Sequence, residues 1–173
     1  MTSVPDRSRV RLTGISSRAY EHPADRSALV ALRKLTGFDT LLKLLNSLFN
    51  ERAMRLTFLA SSVKVSERQF PHIHEMLRDG AYILDMENVP ELFITQTPLV
   101  NAMALGIDRP FIVINSGLVD LMDPEELRFV VGHELGHVLS GHAVYRTMLY
   151  NLILLAQRIA WMPLGYIGLK AII

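Results

Sequence analysis

The sequence contains no cysteine in 173 residues. That absence excludes disulfide frameworks, thiolate zinc ribbons, thiol nucleophiles and CxxC redox chemistry, and it does not fix a compartment. Any bound metal must be held by histidines and carboxylates. An excess of one charge is lacking too: 18 Lys and Arg stand against 17 Asp and Glu, a net charge of +1. Bulk charge therefore gives no basis for a nucleic-acid partner, and none is expected. The opening MTSVPDRSRVRLTG has no apolar stretch, so it does not read as a secretory signal. A cytoplasmic protein is the expectation, with peripheral attachment to the inner face of a membrane left open. Acids are missing from a whole region: after Glu134 there is no Asp or Glu, and Arg146, Arg158 and Lys170 are the only charged residues.

Hydrophobic residues make up 50% of the chain, enough for one domain with a substantial core. No internal repeat or low-complexity tract is present. Arg7, Arg9, Arg11 and Arg18 make residues 1–22 a basic arm, expected to be flexible. Residues 23–173 then read as a single domain. Its first part, 23–88, is helical: one helix lies between Pro23 and Gly37, and another carries Phe38, Leu41, Leu42, Leu45, Leu48 and Phe49 on one stripe. A third runs from about Ser66 to Met86. The second part, 89–173, holds strands at 90–96, 101–106 and 110–115. Gly106 and the Asp108-Arg109-Pro110 turn join the last two as a hairpin, and a short helical turn follows Ser116. The expected fold is α+β and mostly helical, with a small antiparallel sheet or hairpin beside one central helix.

That central helix begins at Pro124. Asp123 is a good N-cap, Pro124 suits the first helical position, and Glu126 completes a capping box. In its second and third turns it carries FVVGHELGHVLSGH, residues 129–142, which contains His-Glu-x-x-His. At ~100° per residue, His133 and His137 are offset by about 40° and stand one turn apart, so both imidazoles can reach one ion. Glu134 lies about 100° from His133, beside the ion rather than on it, where a general base can take a proton from water. Uncharged neighbours, Val130, Val131, Leu135, Val138 and Leu139, suit a buried helix, and a buried zinc would satisfy the three polar residues together. Gly132 and Gly136 each cost about 1 kcal/mol in a helix interior, which suggests that another backbone or a substrate approaches there. If the helix continues, His142 lies about 180° from His133 and ~13 Å along the axis, pointing away from the metal. His72, His74 and His22 read as solvated or loop residues.

The segment NAMALGIDRPFIVINSGLVDLMDPEELRFVVGHELGHVLSGH resembles the centre of gluzincin metallopeptidases of peptidase family M48, which include the HtpX-type proteases and the CAAX prenyl endopeptidases. The shared pattern spans about residues 100–145: Asn-Ala-x-Ala-x-Gly, a strand, Gly-Leu, an acidic helix start, then HELGHxxxGH. The resemblance implies a zincin-like core and a zinc-dependent metalloendopeptidase. One Zn2+ per chain would be held by His133 and His137, with Glu134 as general base and a peptide or unfolded protein as substrate. It also implies that the strand at 110–115 lies near the cleft and pairs with an extended substrate. In this family the third ligand is a glutamate on a later helix, and no acid follows Glu134. The third ligand is therefore expected beyond Ile173, with little activity in this chain alone. Glu75, Glu87, Glu91, Asp108 and Asp120 are upstream carboxylates among which spacing selects none. The alternative reading is a non-catalytic peptide- or partner-binding module.

The tail 147–173 is apolar, but Arg158, Pro163, Gly165 and Lys170 interrupt it, so a buried helix followed by a turn is preferred to a membrane span. An uncovered tail of this kind would favour self-association or peripheral membrane contact.

Overall fold

In the computed structural model, the described residues are 10–16 and 51–161, with isolated positions 19, 34, 36, 37 and 40. The expected helix between Pro23 and Gly37, the stripe from Phe38 to Phe49, and the tail beyond residue 161 lie outside them. The element order is α1 (Glu51–Ser61), β1 (Ser62–Lys64), α2 (Pro71–Ile83), β2 (Glu91–Thr95), β3 (Ala102–Leu105), β4 (Phe111–Asn115), α3 (Ser116–Leu121), α4 (Pro124–Leu139) and α5 (His142–Trp161). The fold is α+β and mostly helical, with one four-stranded sheet in the order β1-β2-β4-β3.

The expected hairpin is present as β3 and β4, paired antiparallel from Ala102↔Ile114 to Leu105↔Phe111. The sheet around it is mixed rather than antiparallel, because β2 runs parallel to β4, from Glu91↔Phe111 to Thr95↔Asn115. A short β1 then pairs antiparallel with β2. This order has a functional consequence. Both sides of β4 are occupied by neighbouring strands, so the 110–115 strand cannot accept an extended peptide, and among the described residues β3 is the edge strand on that side.

Alternation along the strands sends side chains to two faces. Leu92, Ile94, Ala104, Ile112 and Ile114 pack with Ile73, Met76 and Leu77 of α2 and with Leu127, Val131 and Leu135 of α4. Phe93, Leu105, Phe111 and Val113 point the other way, joined by Met54 and Phe58 of α1. The Phe111 ring meets Phe58 and Phe93 edge-on, with centroids 5.4 and 5.7 Å apart. Helices on both faces explain why every residue of β4 is buried and why its first four residues, FIVI, read as an unbroken apolar run. Each such large side chain contributes about 1.5–3 kcal/mol by leaving water.

Helix α2 is shorter at its start than the pattern from Ser66 suggests. Phe70 takes a left-handed conformation (φ 58°) just before Pro71, while Ser66 and Gln69 close a turn on each other. Close approach occurs at Gly80, where an added Cβ would stand 2.7 Å from Leu135 Cδ1. Among the described residues nothing makes the expected approach at Gly132: the space where its Cβ would lie is open. At the far end of α2, residues 11–14 are fastened to the chain after it. The Leu12 N–H donates to Ile83 O, Gly14 N–H to Asp85, and Arg11 pairs with Asp85 and lies over the Tyr82 ring.

Candidate metal centre

Helix α4 starts as its sequence dictates. The Asp123 carboxylate accepts from Glu125 N and Glu126 N at 2.8 and 2.9 Å, and the Glu126 side chain accepts from Asp123 N at 3.0 Å. With its start fixed, Leu127, Val131 and Leu135 form the stripe that enters the core, and Glu134 is buried beside them. His133 and His137 lie on the adjoining face. Their Nε2 atoms are 3.0 Å apart. Two ligands at about 2.0–2.1 Å around a tetrahedral ion would stand roughly 3.3 Å apart, so the two lone pairs fit one cation with a shift of a few tenths of an ångström. Donor atoms of His133, Glu134 and His137 all lie within 4.8 Å of one another. Among the described residues, none of Glu75, Glu87, Glu91, Asp108 and Asp120 joins that group.

The site is open on one side, contrary to the buried ion that the flanking valines suggest. His133 is exposed and its ring stacks on Phe129, which is itself 75% exposed. The apolar neighbours line only the inner side of α4, where Val131 and Leu135 face the sheet.

Glu134 is 3% exposed. Burial raises its pKa above the ordinary 4.5 and outweighs the lowering by the Arg146 and His133 charges and by hydrogen bonds from the Ala104 N–H and Arg146. The Arg146 contact is direct, Nη1 to Oε2 at 3.2 Å. Thus α5 and β3 both hold the carboxylate, and the charge of Arg146 offsets part of its desolvation. Sequence reasoning missed both partners. Arg146 stands twelve residues away on another helix, and a backbone N–H leaves no mark in a sequence.

His142 is where sequence and structure differ most. The helix does not continue through it. At the end of α4 the Ser140 N–H donates to Gly136 O and the Gly141 N–H to Val138 O, Gly141 takes φ +77°, and His142 opens α5. The chain therefore turns back, and His142 Nδ1 lies 3.1 Å from His137 Nδ1 instead of facing away. It contacts the far side of the His137 ring, not the side that faces His133. Gly141 is the signal that could have shown this, since a glycine after a periodic run commonly ends a helix in the left-handed region.

One turn further along α5, Thr147 Oγ1 accepts the Gly106 N–H at 2.7 Å, tying α5 to the end of β3. The hairpin pairing orients β3. Because Asn115 N donates to Asn101 O at 3.0 Å, the Ala102↔Ile114 and Ala104↔Ile112 pairs are the non-bonded ones. The peptide groups of Ala102 and Ala104 therefore face away from β4, and Ala104 N–H reaches Glu134.

Comparison with known proteins accords with this geometry. The profile of Peptidase family M48 matches residues 67–168. The chain is 36% identical over 130 residues to the plastoglobule-localized metallopeptidase 48, chloroplastic, of Arabidopsis thaliana, covering 74% of this chain and 38% of that protein. It is 36% identical over 76 residues to Protease HtpX homolog 2 of Methanosarcina acetivorans, covering 43% and 26%. With the Protease HtpX homolog of Bacillus velezensis it shares 28% identity over 149 residues, covering 82% and 49%. The chain thus spans less than half the length of each of these relatives. With a family match over most of its length, with the His-Glu-x-x-His helix at its centre, the chain belongs to Peptidase family M48.

Proposed function

We propose that the chain carries the metal-binding and general-base part of a zinc metalloendopeptidase site. The observation that carries this reading is the convergence of His133 Nε2 and His137 Nε2 at 3.0 Å beside a buried Glu134 carboxylate. Zinc, when bound, supplies Lewis-acid polarisation of a scissile carbonyl and makes water a better nucleophile. The protein groups do the rest. His133 and His137 would hold the ion. Glu134 takes the proton of the attacking water and returns it to the leaving amine. Its burial makes it a stronger base than a solvated glutamate, and Arg146 keeps the ionised form accessible. The exposure of His133 leaves room for a substrate on that side.

Substrate would lie along β3, not β4. Ala102 presents its peptide groups outward at a sheet edge, in the manner of β-strand addition, which suits an extended peptide or an unfolded protein. Two imidazoles are fewer protein ligands than zinc sites ordinarily use, so we propose modest zinc affinity and slow cleavage for this chain by itself. Among the described residues no helix is long and apolar enough to cross a membrane. We propose that self-association or contact with a membrane surface would use exposed Leu149 and Ile153 of α5.

The test is zinc stoichiometry together with cleavage of an unfolded protein. One zinc per chain is expected, lost in His133→Ala and His137→Ala. Cleavage is expected to be abolished by Glu134→Gln and by chelator while zinc binding persists in Glu134→Gln. Zinc binding unchanged by loss of both histidines would overturn the reading.

A further inference from the structure

We propose that His142 is the positioning residue of the metal centre: it holds the His137 ring from behind and fixes which of its nitrogens is left for the metal. The inference rests on the reading of His133 and His137 as ligands and adds to it a residue outside the His-Glu-x-x-His run.

The geometry is specific to the two nitrogens of His137. Nε2 faces His133 Nε2 at 3.0 Å, and Nδ1 faces His142 Nδ1 at 3.1 Å. A neutral imidazole can offer a lone pair at one nitrogen only if the other carries the proton. For His137 to give Nε2 to a metal, its Nδ1 must be protonated and must donate, and His142 Nδ1 is the acceptor in line. His142 in turn must carry its own proton on Nε2. Metal-bound histidines characteristically donate their second N–H to such an outer partner, which sets tautomer and ring orientation. His142 is built for that place. It is 8% exposed and begins α5 immediately after the left-handed Gly141, the turn that brings it back to His137. One turn later on α5 comes Arg146, which contacts Glu134. One helix therefore supports both a metal histidine and the base.

The consequence for the metal is an orientation effect rather than a coordination bond. With His142 removed, the His137 Nδ1–H loses the acceptor that favours this tautomer and ring orientation, so zinc affinity falls without disappearing. Removal of such an outer partner weakens metal binding about 10–100-fold. Asparagine can place a carbonyl oxygen near the His137 Nδ1–H, whereas phenylalanine fills the space with no acceptor.

The experiment uses the full 173-residue chain, zinc ion and a competing chelator, with His133→Ala as the reference for loss of a ligand. Expected is a roughly 10–100-fold weaker zinc affinity in His142→Phe, partly restored in His142→Asn, against near-complete loss in His133→Ala. Equal affinity in wild type and His142→Phe, with His133→Ala still impaired, would overturn this inference and leave the zinc site intact. Loss in His142→Phe as complete as in His133→Ala, with no rescue by asparagine, would make His142 a direct ligand and equally overturn it. Unchanged affinity in His133→Ala would remove the underlying reading instead. A second measurement needs no variant: 15N NMR of the zinc-loaded wild type is expected to show His137 protonated on Nδ1 and His142 unprotonated there. Protons on both Nδ1 atoms would sink the proposal.

Discussion

Arg146 and Glu134 meet across 3.2 Å with very unequal exposure: the arginine side chain is 40% exposed and the carboxylate 4%. The pair therefore anchors a buried acid to a charge that still sees water. Replacing Arg146 by methionine leaves the Ala104 N–H as partner but removes the countercharge. Breaking a fully buried pair costs about 3–5 kcal/mol, and the exposed arginine reduces this to about 1–3 kcal/mol here. Urea denaturation of Arg146→Met at neutral pH measures it. A midpoint equal to wild type would show that the contact does not support the fold.

Glu134 makes the opposite kind of prediction. Burial raises its folded pKa above 4.5, so its favourable contribution to stability is fully present below pH 4.5 and is lost as pH rises through the folded value. In metal-free protein, Glu134→Gln removes that loss. The variant is expected to be at least as stable as wild type near pH 7, with the difference shrinking as pH falls toward 4.5. Thermal melts of both proteins from pH 4 to pH 8 test this, and a variant that is less stable at pH 7 than at pH 4.5, relative to wild type, contradicts it.

Thr147 is 1% exposed and serves as acceptor for the Gly106 N–H while donating to Ala143 O. Thr147→Val keeps the shape and leaves a buried N–H without an acceptor, at about 1–3 kcal/mol. Thr147→Ser retains the hydroxyl and is expected to lose much less. Hydrogen exchange at Gly106 offers an independent reading: its amide should exchange faster in the valine variant and not in the serine one.

The α2–α4 contact predicts a small-to-large effect. A methyl at Gly80 would meet Leu135 Cδ1 at 2.7 Å, and Leu135 has 0% exposure, so it has little room to move. Overpacking of this kind costs about 1–3 kcal/mol, against a gain of about 1 kcal/mol in helix propensity. Gly80→Ala is expected to destabilise by about 0–2 kcal/mol in a denaturant titration. Leu135→Ala introduced alongside should recover part of the clash while adding its own cavity cost, so the two changes should be non-additive.

What was legible in the sequence follows locality. The start of α4 could be read because Asp123, Pro124 and Glu126 specify it within four residues. The β3–β4 hairpin could be read because Gly106 and the following turn separate two apolar runs. The parallel placement of β2 against β4 could not, since nothing in ELFIT distinguishes pairing with a strand twenty residues later from pairing with the next one. Strand β1 is three residues long and half exposed, too short for alternation to register. Within the site, His133, Glu134 and His137 share one helix and are brought together as their spacing implies. His142 and Arg146 depend on the angle between two helices, which is set by the single left-handed residue Gly141 and leaves only a glycine as its trace.

If substrate pairs with β3 as proposed, the outward peptide groups of Ala102 carry a consequence for selectivity. An edge strand reads the main chain of its guest, which is the same in every protein, so it discriminates by conformation instead of by side chain. A segment locked in a helix or already paired in its own sheet has no spare N–H and C=O to offer. Loosened chains of almost any composition do, except where a proline removes the donor opposite Ala102. A guest chosen in this way is selected for having come undone.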